Sequence, residues 1–135
     1  TRIGEFSPET VAAEWLGGAT GPAVGAKFRG QVHRNQRGPK YWTTCTVSVA
    51  DEPSDGPGDR RAEFAFDVGT SKMTVITWGY RLASTDSGTD VTEYFQLANS
   101  GFTRIYWKLL GRLRGRTNRR NMTETLQRMR SVVEL

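Results

Sequence analysis

Between Ala26 and Leu97, apolar and polar residues alternate in a series of short runs, and each run predicts a β-strand. In Ala26–His33, Phe28 and Val32 fall on one face, with Lys27, Arg29, Gln31 and His33 on the other. Tyr41, Thr43, Cys45, Val47 and Val49 share a face in a run rich in β-branched residues. Residues 61–68 turn Phe64, Phe66 and Val68 inward, and residues 73–82 do the same with Ile76, Trp78, Tyr80 and Leu82. In residues 90–97 the same rule puts Glu93 inward beside Val91 and Phe95, while Thr92, Tyr94 and Gln96 face out. Thr10–Leu16 reads as a further extended segment.

Turn chemistry marks the connections. Gly17 to Gly25, Asn35 to Lys40, Asp51 to Asp59 and Ser84 to Thr89 are rich in Gly, Pro, Asn, Asp or Ser. Ser7-Pro8-Glu9 has the form of a short helix start, with a hydroxyl cap and proline in the first turn. Links this short favour antiparallel hairpins, because a parallel crossover needs a dozen or more residues.

Past Asn99 the period changes from two to between three and four. Phe102, Ile105, Tyr106, Leu109, Leu110 and Leu113 predict the apolar face of a helix. Gly115 to Arg120 is expected to interrupt or kink it. Asn121 and Glu124 then read as a capping box that restarts the helix, with Leu126, Met129 and Val133 as its buried stripe. One antiparallel sheet followed by one long helical region predicts an α+β domain in which the helix covers the sheet's hollow side.

At 135 residues the chain fits one domain, and its 36% hydrophobic content supplies a core. No apolar run reaches the length of a membrane span. The lone cysteine, Cys45, has no internal disulfide partner, which fits a reducing, cytoplasmic setting. Charge is unevenly spread: residues 1–100 carry a net −2, and residues 101–135 a net +7. The basic stretch Arg104–Arg120 could meet anionic membrane or nucleic acid, or be a solvated helix face.

The order of motifs resembles the polyketide cyclase/dehydrase branch of the START-like, or helix-grip, superfamily. The likeness runs from Glu14-Trp15-Leu16-Gly17-Gly18 and Gly21-Pro22-Ala23-Val24-Gly25-Ala26-Lys27-Phe28-Arg29-Gly30 through Trp42 to Val47. It continues through Phe64 to Val68 and Gly88 to Glu93, and ends in the arginine-rich helix. The resemblance implies a curved antiparallel sheet wrapped around a long C-terminal helix, enclosing a cavity. It also implies a strand before Thr1, so that residues 1–135 are one domain lacking its first strand, by roughly 20 residues. Members of the superfamily carry lipids and hormones or cyclise aromatic polyketides.

These readings converge on binding of a small hydrophobic molecule such as a lipid, a polyketide or an aromatic compound. The expected lining is Trp15, Phe28, Phe64, Phe66, Trp78, Tyr80, Glu93 and Tyr106, although such aromatics also serve simply to fill cores. Glu93 is the residue of chemical interest, since an inward carboxylate must be paired or protonated. With Tyr80 it is a candidate for proton transfer in a cyclase or dehydratase. The single histidine, His33, lies among solvent-facing positions and has no companions at ligand spacing, so neither metal nor cofactor is expected. Cys45 is expected to pack as a small hydrophobe. The glycines after Leu16 lack the lysine and hydroxyl of a phosphate loop and are read as a flexible turn at the cavity entrance.

Overall fold

The computed structural model describes residues 2–53, 60–70, 73–99 and 101–134, without the side chains of Asn35, Phe102, Thr103, Tyr106 and Leu110. Its elements are helix α1 (Ile3–Phe6), strands β1 (Thr10–Trp15), β2 (Lys27–Val32), β3 (Tyr41–Asp51), β4 (Arg61–Thr70), β5 (Met73–Thr85) and β6 (Gly88–Leu97), and helix α2 (Gly101–Val133). The strands form one open antiparallel sheet in sequence order, β1 to β6. This is the expected α+β class and the helix-grip order of elements. The chain divides into two compact units, one of Thr1–Glu14, Arg29–Thr43 and Leu97–Leu135, the other of Trp15–Phe28 and Thr44–Gln96.

In the first unit α1 packs against α2. The short helix precedes Ser7-Pro8-Glu9 instead of starting there, and Ser7 is its C-cap. Ser7 Oγ accepts the backbone N–H of Thr10 at 2.9 Å and of Glu9 at 3.3 Å. The hydroxyl that looks like a helix cap therefore folds the turn into β1. Gly4 lies directly on the Val11 carbonyl, where a Cβ has no room. His33, expected in solvent, is half-buried at the end of β2, and its backbone N–H donates to the Glu9 carbonyl at 2.8 Å. The half-buried pair Arg114–Glu9, 3.4 Å apart, joins α2 to the entry of β1.

Helix α2 runs unbroken through both expected discontinuities. Gly111 and Gly115 do not kink it; a Cβ on Gly111 would meet Trp107 Cε3 at 2.8 Å, and one on Gly115 would lie 4.0 Å from Cζ3. Gly111 makes room for the Trp107 ring along the helix, whereas a Cβ on Gly115 would only touch it. Asn121 is interior, and its carbonyl accepts the Thr125 hydroxyl at 2.8 Å. Thr117 and Thr123 likewise donate to the carbonyls of Leu113 and Arg119, so these hydroxyls are absorbed by the helix rather than ending it. Glu124 pairs one turn forward with Arg128 instead of reaching back to a cap.

The buried side of α2 also differs from expectation. Asn118 and Thr125 are its fully buried described residues, while Ile105, Leu109, Leu113 and Val133 are exposed. Leu126 and Met129 are half-buried as expected. Small and polar residues permit closer approach than branched apolar ones, and Gly111, Gly115, Asn118 and Thr125 all fall on the sheltered side.

In the second unit, the Leu16 N–H donates to the Lys27 carbonyl at 2.8 Å and closes the glycine loop, where Gly17, Gly18 and Gly25 have φ of 63°, 79° and 85°. Such left-handed backbone favours glycine. Strands β4 and β5 pair from Arg61↔Ala83 to Thr70↔Met73. This register puts Phe64 opposite Tyr80, Phe66 opposite Trp78 and Val68 opposite Ile76 on one face. On the other lie Glu63 with Arg81, Ala65 with Gly79 and Asp67 with Thr77. Strand β3 adds Cys45 and Val47, opposite Val68 and Phe66, as buried members of the aromatic face. A bulge between Val47 and Val49 then shifts the register and sets Val49 opposite Ala65. Val49 therefore leaves the face shared by Cys45 and Val47, as an inserted residue reverses alternation beyond it.

Candidate functional site

The aromatic face of the second unit brings most of the expected lining together. Trp15 meets Phe28 edge to face with centroids 5.4 Å apart, and Phe28 meets Phe66 in the same manner at 5.2 Å. Phe64 and Phe66 lie 5.9 Å apart, and Trp78 and Phe95 5.2 Å apart. Edge-to-face rings attract through their quadrupoles and hold one another in fixed orientation. The geometry follows from the chain: alternation puts Phe64 and Phe66 side by side along β4, and register sets Tyr80 and Trp78 opposite them. All seven of these aromatic side chains are half-buried, neither sealed into a core nor free in water.

Glu93 sits at this face. Tyr80 donates its hydroxyl hydrogen to Glu93 Oε1 at 2.9 Å. Glu93 Oε2 is buried with no hydrogen-bond partner. Burial pushes the Glu93 carboxyl up to about 7, and the Tyr80 hydrogen bond only partly opposes this. Burial, followed by the charge and hydrogen bond of Glu93, raises the Tyr80 phenol well above its ordinary value. Tyr80 is thus a hydrogen-bond donor across the accessible pH range, and Glu93 exchanges a proton near neutrality.

The opposite face shows why Glu93 is distinctive. There Glu63 Oε1 accepts the Tyr94 hydroxyl at 2.5 Å and the Arg81 Nε–H at 3.3 Å, and Arg81 stacks on the Tyr94 ring at 4.5 Å. The Tyr94 hydrogen bond chiefly, aided by Arg81, holds the Glu63 carboxyl below its usual range. Asp67 accepts the Thr77 hydroxyl. These acids are satisfied, whereas half of the Glu93 carboxylate is not.

Seven of the eight expected lining residues, Trp15, Phe28, Phe64, Phe66, Trp78, Tyr80 and Glu93, belong to this unit. The eighth, the Tyr106 side chain, lies outside the described residues. Val91, expected inward beside Glu93, is exposed. Phe95 completes the ring array with Trp78; its spacing of two from Glu93 carried that signal. Cys45 is buried as expected for a small hydrophobe.

A different surface occupies α2 in the first unit. Arg104, Lys108, Arg112, Arg116, Arg119 and Arg120 are exposed, while Arg114 is drawn aside to Glu9. An open groove of about 580 Å³ is bordered by Arg116, Arg119, Arg120, Thr123, Glu124 and Gln127. Three arginines border it, and its one acid, Glu124, pairs with Arg128. Among the described residues no group of three His, Cys, Asp or Glu side chains is placed to hold a metal ion, and no helix is long and apolar enough to cross a membrane. Compared with protein-family models, curated proteins and solved structures, the chain matches none.

Proposed function

We propose that this protein binds a small hydrophobic molecule, a lipid, polyketide or aromatic compound, against the aromatic face of its second unit, with Glu93 and Tyr80 at the ligand's polar end. The observation that carries this reading is the set of half-buried rings on the face that holds Glu93, whose Oε2 is buried without a hydrogen-bond partner. A structural core buries its large rings and pairs its acids. A binding face leaves apolar area for the ligand to cover and keeps a few polar atoms to orient it. Covering about 200 Å² of such surface contributes roughly 5 kcal/mol, before the costs of association. Helix-grip architecture supports the same reading, since it is suited to holding ligands. The test is mass spectrometry of organic extracts from purified protein. A hydrophobic compound retained by the wild type and lost in the double variant Phe66→Ala/Trp78→Ala supports the proposal; clean extracts and no uptake of added hydrophobic compounds contradict it.

A second reading is favoured by the proton chemistry of Glu93. A carboxyl with a midpoint of about 7 both takes and gives protons near neutral pH. With Tyr80 as a fixed donor, the pair has the equipment to enolise and dehydrate a polyketide chain, the reaction of the cyclase branch that the sequence resembles. Turnover of an aromatic-polyketide precursor that disappears in Glu93→Gln distinguishes this enzyme from a carrier.

A third reading concerns α2 alone. Ile105, Leu109 and Leu113 are exposed beside Arg104, Lys108 and Arg112, a pattern suited to an anionic membrane surface. Binding to vesicles rich in phosphatidylserine that weakens steeply with salt supports it, and indifference to lipid charge opposes it.

A further inference from the structure

We propose that the molecule held on the aromatic face carries a neutral hydroxyl and seats it against Oε2 of Glu93. The inference deepens the ligand-binding reading above and rests on it. Tyr80 occupies Oε1, and Oε2 is buried and bare. A buried polar atom without a partner is costly, and in native proteins it often marks the place of a ligand or water.

The chemistry of Oε2 selects the group that completes it. As a carboxylate, Glu93 only accepts, so the ligand must donate. As an acid, with Tyr80 on Oε1, its proton sits on Oε2 and the ligand must accept. A hydroxyl does both. A ketone or ether serves only the acid, and an ammonium only the carboxylate. An anionic ligand head meets the carboxylate's own charge, and among the described residues no cation pairs with Glu93 to offset it. The Trp78–Phe95 pair on the same two strands, and the Phe28–Phe66 pair further along the aromatic face, favour a flat apolar body behind that hydroxyl.

Equilibrium dialysis with 2-naphthol, naphthalene and 2-naphthoate at pH 7 tests the inference, with folding of each variant checked by circular dichroism. The wild type is expected to hold 2-naphthol about tenfold tighter than naphthalene, with 2-naphthoate the weakest. Glu93→Leu should bring 2-naphthol down to naphthalene. Glu93→Gln, which keeps an acceptor and a donor, should retain most of the preference and serves as the comparison should the leucine variant misfold. Equal binding of 2-naphthol and naphthalene by the wild type, both lost in Trp78→Ala, overturns the hydroxyl inference and leaves the apolar site standing. A preference that survives in Glu93→Leu overturns it equally. Failure of the wild type to bind any of the three overturns the ligand-binding reading itself.

Discussion

The Tyr80 hydroxyl engages one oxygen of Glu93 and leaves the other buried without a partner. The sheet makes this possible by placing a phenol on β5 beside an acid on β6, on the same face as the stacked rings. Burial raises this acid until it titrates near neutrality, and the Tyr80 hydrogen bond only partly opposes the rise.

Stability should therefore depend on Glu93 and pH together. The folded carboxyl has a midpoint of about 7, raised above its unfolded value, so the folded state favours the protonated form. Its contribution to stability is complete below the unfolded value near 4.5 and is lost as pH rises through about 7. Glu93→Gln removes this dependence. Urea unfolding should show the variant gaining on the wild type between pH 5 and pH 8.5 by about 1–2 kcal/mol, discounted for partial solvent access. Parallel pH profiles for the two proteins would contradict the assignment.

The outer face offers a packing test. A Cβ on Gly79 would lie 2.6 Å from Tyr94 Cε1, and the ring is held by its hydrogen bond to Glu63. Gly79→Ala should lower stability by about 1–3 kcal/mol. In a Tyr94→Ala background the same change should cost much less. A double-mutant cycle by thermal unfolding checks this, and strict additivity of the two changes would count against the contact.

Helix continuity can be read at Asn121. Were it a cap, Asn121→Ala would cost about 1 kcal/mol. Inside a continuous helix, alanine's higher propensity should leave stability unchanged or raise it by up to about 0.7 kcal/mol. Chemical denaturation decides the sign.

Arg114 and Glu9 form a half-buried pair that links α2 to β1 within the first unit. Arg114→Ala removes this partner from the half-buried Glu9 carboxylate and should cost about 1–2 kcal/mol, whereas Glu9→Gln with Arg114→Met should recover part of it. Equal losses in the single and double variants would show that the pair contributes little.

The strands were legible because alternation has a fixed period and the turns carry their own residues. From it came the shared face of Phe64, Phe66, Trp78, Tyr80 and Glu93, and the partnership of Phe28 with it. The bulge at Val47/Val49 was not legible, because an inserted residue alters register without a distinctive composition. Helix α2 misled for two reasons. Gly115 and Asn121 carry local stop and start signals, but the helix continues through both, and the threonines bond back to it. Counting apolar residues also chose Ile105, Leu109 and Leu113 as the buried face, whereas Asn118 and Thr125 are the buried residues. The empty valence at Glu93 Oε2 depends on where neighbouring atoms end, which no spacing rule encodes.

If the rings of the second unit are a ligand face, fluorine NMR of protein labelled with 5-fluorotryptophan will register the ligand there. Trp78 lies on that face beside Phe95, while Trp42 stacks under Arg29 at 4.5 Å in the first unit and supplies an internal reference. Adding 2-naphthol should move the Trp78 resonance in a saturable manner and leave Trp42 in place. A titration that shifts Trp42 alone, or neither signal, would show that these rings do not take up the ligand.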